Sequence, residues 1–93
     1  MDRIDGFRMF IRVVEAGSFS KAARDLGVTQ PTVTRQVAAL ESRLGARLLN
    51  RNTRRLSVTE LGQLYYEKSK VLLDTYEETE NLAPGRQAPV RAG

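Results

Sequence analysis

One stretch near the middle of the chain places a single arginine among small residues on one face of a predicted helix. At about 100° of rotation per residue, this stretch has one apolar stripe, made by Val33, Val37, Leu40 and Leu44. The opposite face consists of Pro31, Arg35, Ala38 and Ser42. Small side chains would let such a face sink into the major groove of DNA, where the Arg35 guanidinium can donate to O6 and N7 of a guanine.

Polar side chains near the N-terminal end of this helix extend the same surface. Gln30, Thr32 and Thr34 carry amide and hydroxyl groups that can reach base edges or phosphates, and a helix N-terminus itself attracts phosphate. Taken alone, Arg35 would be interpreted as an ordinary solvated arginine. The small-residue face, the turn before it and the basic hairpin after it together favour contact with DNA bases or phosphates.

A second group of cations surrounds a predicted hairpin turn. Arg51, Arg54 and Arg55 can hold phosphates or enter the minor groove, whose narrow stretches concentrate negative potential. The alternative role is protection of an edge strand by charge, and both roles can hold together. Lys21 is a weaker candidate for contact with the DNA backbone, with a solvated position about equally supported, and Ser18 is a further candidate contact.

The composition removes most other kinds of chemistry. The chain has 93 residues and contains no cysteine and no histidine, so we expect no catalytic residue, no metal site and no cofactor. Lys and Arg number 15 against 11 Asp and Glu, a net charge of +4, and 12 of the 15 cations are arginine. Residues 1–59 carry a net charge of +6, residues 60–82 carry −4 and residues 83–93 carry +2. The first segment is therefore the one suited to nucleic acid.

Three other features have simpler interpretations than a functional site. The tyrosines of the last helical stripe are expected to be core or interface residues: Tyr65, Tyr66 and Tyr76. The acidic group near the end of that stripe is expected to be a solvated face: Glu77, Glu78 and Glu80. The N-terminus mixes charges and no apolar run exceeds a few residues, so we expect no signal peptide, no membrane span and a cytoplasmic location.

Three helices are predicted in the basic segment. The second is about two turns long, and the third follows it closely because Thr29 is a good N-cap and Pro31 is tolerated in a first turn. Their predicted extents are Ile4 to Ala16, Lys21 to Leu26 with a cap at Ser18 or Ser20, and Gln30 to Leu44. The expected core consists of Phe7, Phe10, Ile11, Val14, Leu26, Val28, Val33 and Val37. Short helices separated by a glycine-containing turn are typical of a helix-turn-helix.

A hairpin and a long helix are predicted after these three helices. Residues 47–58 form two basic runs, the second alternating apolar with polar residues, and we interpret them as a β wing. Thr59 caps a predicted helix over residues 60–82, about 35 Å long, which exceeds what a 59-residue core can cover. Part of its apolar stripe is expected to contact another chain, at Leu61, Leu64, Tyr65, Leu72 and Tyr76. The predicted fold is mainly α: a three-helix core with a two-stranded wing, followed by a dimerisation and linker helix.

Four runs of residues are more specific than these periodicities. They are Phe10 to Ala23, Val28 to Val37, Leu40-Glu41 with Leu44-Gly45, and Leu48 to Gly62. Over residues 1 to about 82 the chain resembles the N-terminal domain of LysR-type transcriptional regulators. The resemblance implies a winged helix-turn-helix with its motif at about residues 19–38, a recognition helix at about 30–44 in the major groove and the wing at the minor groove. It also implies a homodimer, paired through the long helix, that reads an interrupted inverted repeat in double-stranded DNA, with a tetramer as an option in a full-length protein.

The resemblance also assigns individual positions. The groove-facing residues of the family correspond to Gln30, Pro31, Thr34 and Arg35, and its wing contacts to Arg51 and Arg54. Two positions depart from the common pattern, because serine is frequent where Thr34 stands and phenylalanine where Leu49 stands. Family members continue into a large effector-binding domain, so residues 83–93 are expected to be a flexible hinge to such a domain. A small-molecule inducer would act only through that domain.

Two other classes of function are weighed against DNA binding. A winged-helix module can bind an acidic protein partner, but such a face would be expected to carry aromatic or aliphatic anchors, whereas Arg35 stands among small residues. An enzyme is less well supported, because no plausible pair of nucleophile and base is present.

Overall fold

The chain forms four helices and a two-stranded antiparallel sheet within residues 3–52 and 55–85, the part that the computed structural model describes. In chain order the elements are α1 (Arg3–Ala16), α2 (Phe19–Leu26), α3 (Gln30–Leu44), β1 (Leu49–Arg51), β2 (Leu56–Val58) and α4 (Glu60–Glu80). The predicted three-helix core, two-stranded wing and long last helix are confirmed. Arg54 and most of the predicted hinge, residues 86–93, lie outside the described residues.

Side-chain caps and one glycine define the helix-turn-helix. Of the two serines predicted as caps for α2, Ser18 is the one used, since its Oγ accepts the N–H of Lys21 at 2.9 Å. Gly27 ends α2 with φ of 73°, a left-handed conformation that glycine adopts without steric cost. Thr29 then caps α3 by accepting the N–H of Thr32. The turn between the two helices is thereby fixed at both of its ends.

The hydrophobic core lies where α1 packs against α2 and α3. The predicted core residues Phe10, Val33 and Val37 have no exposed surface, whereas Phe7 and Val14 are half-buried at its margin. The core also includes residues that the predicted stripe left out: Met9, Val13, Leu48 and Leu49. The reason is that α1 contacts α2, α3 and α4, so its buried face is wider than a single stripe, and the start of the wing turns inward.

The wing is joined to α4 by a short set of hydrogen bonds. Its strands pair with Leu49 opposite Val58. Thr59 follows directly, and its hydroxyl donates to the backbone oxygen of Arg47 at 2.8 Å while accepting the N–H of Gly62 at 2.8 Å. One threonine therefore caps α4 and ties that helix to the chain entering β1.

The long helix α4 packs along α1. The Tyr66 hydroxyl donates to a carboxylate oxygen of Glu15 at 2.8 Å, and Arg8 pairs with Glu77 at 3.2 Å. The pKa of Tyr66 is raised above its usual value, first by the hydrogen bond to Glu15 and second by desolvation. These contacts set the direction in which α4 leaves the core.

The end of α4 differs from the prediction. The helix contains 21 residues, about 31 Å, and ends at Glu80 rather than at Leu82. The N–H of Asn81 closes the helix on the carbonyl of Glu77, and Leu82, which the predicted stripe included, lies beyond the helix and is 76% exposed. No helix among the described residues is both long and apolar enough to cross a membrane.

Candidate nucleic-acid interface

The face of α3 predicted to enter a DNA groove is open to solvent. All four of its residues are exposed: Pro31, Arg35, Ala38 and Ser42. Within the described ranges, no ion pair or hydrogen bond engages the Arg35 guanidinium. Because its neighbours are small and its donors are unpaired, Arg35 can present a bidentate fork to an acceptor pair on a base or a phosphate.

The hydroxyl groups near the start of α2 and α3 are mostly engaged in capping. Thr32 Oγ1 lies 2.8 Å from Thr29 Oγ1, and Ser18 Oγ caps α2, so each of these hydroxyls already has a partner within the protein. Thr34 is half-buried. Gln30 is exposed, borders a groove that faces the wing and takes no part in these caps.

The wing cation Arg51 lies at the protein surface and is held there by two partners within the protein. Its Nη2 lies 3.3 Å from Oε1 of Glu41, and its guanidinium carbon lies 4.9 Å from the centre of the Phe19 ring. The Arg51 side chain is 31% exposed. Only the guanidinium donors that face away from Glu41 are therefore available to bind DNA. The contact of Arg51 with DNA stays a prediction.

The second wing cation, Arg55, is more accessible. It is exposed and precedes β2, and its backbone N–H donates to Oδ1 of Asn52 at 2.8 Å. Within the described residues, no carboxylate lies within ion-pair distance of its guanidinium. The neighbouring prediction for Arg54 falls outside the described residues.

Glu41 belongs to this surface, although it was not predicted as a site residue and was noted only within the runs that carry the resemblance. It lies in the last turn of α3 and binds Arg51 of the wing. A carboxylate near the C-terminus of a helix is unfavourable with respect to the helix dipole. That mismatch was the one signal in the sequence that Glu41 has a specific partner.

Two grooves border α3 and share Arg51 as a common wall. The larger, of about 520 Å³, is lined by the second half of α3 and the chain that follows, including Ser42 and Arg47. The smaller, of about 340 Å³, lies between the start of α2, Gln30 and the wing residue Arg55. Both grooves combine cations with hydroxyl or amide groups, the lining expected of a surface that binds a nucleic acid backbone.

Cations are distributed differently on the two sides of the molecule. On α1, Arg8 and Arg12 are neutralised by carboxylates, with Glu77 and Glu15 at 3.2 and 3.3 Å. Six exposed cations of α2, α3 and the wing form no ion pair within the described residues, against three elsewhere, at Arg3, Lys68 and Lys70; the six are Lys21, Arg24, Arg35, Arg43, Arg47 and Arg55. Residues 3–52 and 55–85 hold no group of three acidic residues that could hold a metal ion. Unneutralised positive charge is thus concentrated on the elements predicted to meet DNA.

One side of α4 presents apolar residues to solvent. Four of the five predicted dimer residues are exposed, namely Leu61, Leu64, Leu72 and Tyr76, whereas Tyr65 is half-buried against the core. Val71 and Leu82, outside the predicted set, are the most exposed large apolar residues described. Such an area on one helix is typical of an interaction surface.

Known families and curated proteins include relatives of this chain. Residues 4–63 match the family described as "Bacterial regulatory helix-turn-helix protein, lysR family". An HTH-type transcriptional repressor of Pseudomonas aeruginosa (strain UCBPP-PA14) is 44% identical over 91 residues, which is 97% of this chain and 29% of the repressor. A probable hydrogen peroxide-inducible genes activator of Mycobacterium leprae is 41% identical over 90 residues, 97% of this chain and 29% of that protein. The chain spans less than a third of the length of these relatives.

Solved structures give the same result for the fold. A complex of the BenM DNA-binding domain with catB site 1 DNA is 37% identical in sequence, with a TM-score of 0.78 over 85% of this chain and 87% of that chain. Full-length CbnR in complex with its target DNA is 37% identical, with a TM-score of 0.79 over 85% of this chain and 27% of that chain.

Proposed function

The chain belongs to the lysR family of bacterial regulatory helix-turn-helix proteins, and on that premise we propose that it is the DNA-binding and dimerisation part of a sequence-specific transcription regulator. In this proposal, α3 enters the major groove and the arginine-rich wing lies at the minor groove and the phosphates. No chemical reaction forms part of the proposal.

The observation that carries the proposal is the environment of Arg35. It is exposed at the centre of a face of small residues, and α3 is capped at both ends by Thr29 and Gly45. A fork on a rigid helix can discriminate guanine from other bases by about 1–3 kcal/mol. A docking site for an acidic protein is not favoured, because this face lacks the aromatic or aliphatic anchors that dominate protein interfaces.

The residues that we propose as DNA contacts differ in their accessibility. They are Ser18, Lys21, Gln30, Pro31, Thr32, Thr34, Arg35, Arg51, Arg54 and Arg55. Among the described members of this set, Lys21, Gln30, Arg35 and Arg55 are exposed and carry polar side-chain groups that no cap or ion pair occupies. We expect these four to contribute most of the side-chain contacts, and the capping hydroxyls to contribute backbone positioning.

The second part of the proposal is a homodimer formed through α4. Its support is the exposed apolar side of that helix, at Leu61, Leu64, Leu72 and Tyr76, with Tyr65 at the edge of the core. Two copies related by a twofold axis would read an interrupted inverted repeat. Relatives solved with DNA, including full-length CbnR, support the DNA-binding part of this arrangement by their likeness.

The proposal also extends to a longer protein, because the chain matches only 29% of the length of each of the two relatives described above. We propose that an effector-binding domain follows the hinge, that a small-molecule inducer acts through it, and that a full-length tetramer is compatible with this plan. Because its target is chromosomal DNA, we propose a cytoplasmic site of action.

Selection of bound sequences from a pool of random double-stranded DNA tests this proposal. The expected result is enrichment of an inverted repeat with a variable spacer and one strongly preferred guanine in each half. Enrichment of single half-sites would contradict the dimer alone. No enrichment over the starting pool would contradict sequence-specific binding.

A further inference from the structure

One carboxylate connects the recognition helix to the wing. The Glu41 side chain is 12% exposed. Its Oε2 accepts the backbone N–H groups of Leu48 at 2.8 Å and of Leu49 at 3.1 Å, while its Oε1 pairs with Arg51. Three donors from the start of the wing therefore converge on a single side chain of α3.

The backbone brings these groups together. Gly45 ends α3 in the left-handed conformation, and the N–H of Ala46 donates to the carbonyl oxygen of Glu41 at 3.1 Å. The chain thus folds back over the last turn of α3, which places the amides of Leu48 and Leu49 beside the Glu41 carboxylate. Charge-assisted hydrogen bonds from these donors offset the unfavourable position of an acid at a helix C-terminus.

Arg51 extends this connection to α2. Its guanidinium is restrained on one side by Glu41 and on the other by the ring of Phe19, the first residue of α2. It also separates the two grooves that border α3. The planar Arg51 guanidinium is consequently the point at which the first turn of α2, the last turn of α3 and the end of β1 meet.

We propose that Glu41 is a positioning residue of the DNA interface, which sets the wing relative to α3 through the Leu48 and Leu49 amides and Arg51. It touches no DNA in this arrangement. Its effect is that α3 and the wing reach one half-site together. This inference rests on the proposed function, since it concerns how the two DNA-binding elements are aligned.

The test is a pair of footprints on a DNA site selected by the protein. Dimethyl sulfate reports protection of guanine N7 in the major groove, and hydroxyl radicals report protection of sugars along the minor groove. Glu41→Gln keeps an oxygen acceptor for the two amides but loses the charge that restrains Arg51. We expect minor-groove protection beside the half-site to fall about threefold or more, with major-groove protection nearly unchanged.

Two further variants make the result decisive. Phe19→Leu removes the aromatic ring that restrains Arg51 and leaves Glu41 in place. We expect the same result, a loss of minor-groove protection with major-groove protection nearly unchanged. Glu78→Gln makes the same change of charge at an exposed position of α4, and we expect wild-type footprints. If Glu41→Gln does not fold, as judged by circular dichroism, Phe19→Leu alone decides the question.

The possible outcomes separate the two hypotheses. Equal loss of both footprints in a folded Glu41→Gln protein, or no change in either, would overturn the positioning role. A selective loss at the major groove would overturn it as well. Absence of both footprints from the wild-type protein would instead contradict the proposed DNA binding.

Discussion

Gly62 has no room for a side chain, because the carbonyl oxygen of Leu48 occupies the space that a Cβ would take. A Cβ at position 62 would also lie 2.8 Å from Cγ1 of Val58. The close approach occurs at the first turn of α4, where Thr59 binds both the chain entering β1 and the N–H of Gly62. The first turn of α4 is therefore packed through its backbone against the wing.

Gly62→Ala tests this contact through stability. Alanine would stabilise an unconstrained helix by about 1 kcal/mol relative to glycine. We expect the opposite sign here, a loss of about 1–3 kcal/mol in the free energy of unfolding, because a backbone oxygen cannot move aside as a side chain can. Chemical denaturation followed by circular dichroism measures the change. Gln63→Ala, at the exposed neighbouring position, serves as the control, and an equal or higher stability for Gly62→Ala would disprove the contact.

Tyr66→Phe tests the link between α1 and α4 through its dependence on pH. The Tyr66 pKa is raised above 10.0 in the folded state, chiefly by the hydrogen bond to Glu15. A group with a raised folded pKa contributes stability below its unfolded pKa and loses that contribution as pH rises through the folded pKa. The wild-type protein should thus be more stable than Tyr66→Phe at pH 8, and the difference should shrink above pH 10. A difference that is constant over this range would rule out the coupling.

Arg55→Ala tests phosphate binding by the wing. If its unpaired guanidinium neutralises one phosphate, the plot of log K against log salt concentration should become shallower by about one unit. Lys70→Ala removes the same charge from α4, where Lys70 lies over the Tyr66 ring, and should leave the slope unchanged. Fluorescence anisotropy over a salt series supplies the slopes. Identical slopes for Arg55→Ala and the wild-type protein would remove Arg55 from the phosphate contacts.

Leu64→Glu tests the dimer surface. Leu64 is 51% exposed, so a charge at this position costs little in a monomer but much in an apolar interface. We expect sedimentation at micromolar concentration to show a dimer for the wild-type protein and a monomer for the variant. Gln63→Glu adds the same charge at the adjacent position and should remain dimeric. A wild-type monomer, or a dimeric Leu64→Glu protein, would refute the interface.

The elements of the fold were predictable because their signals are local. Gly27 ends α2 and Thr29 begins α3 through their own backbone and side-chain chemistry, and the apolar spacing of α3 predicted its exposed face correctly. The predicted end of α4 at Leu82 lies two residues beyond the observed end at Glu80, because Leu82 fits the apolar spacing but is exposed beyond the helix. Apolar spacing alone does not tell whether the last residue of a stripe is buried.

The connections within the candidate site were not predictable in the same way. Arg51 was assigned to DNA from its residue type, but its ion pair with Glu41 joins residues from different elements. Nothing in the spacing of Phe19 indicates that its ring lies under that guanidinium. Such contacts depend on how the wing folds back onto α3, which only the three-dimensional structure reveals.

The most direct test of the central claim is the effect of Arg35 variants on base preference. We predict that Arg35→Ala weakens binding to the selected site by about 1–3 kcal/mol and relaxes the preference at one base pair of each half-site. Arg35→Lys keeps the charge without the planar fork, and should lose the base preference while retaining most of the affinity for random duplex. Competition binding to the selected site, to its single-base variants and to random duplex measures both quantities. Equal weakening of Arg35→Ala on specific and random DNA, with the base preference intact, would contradict the account.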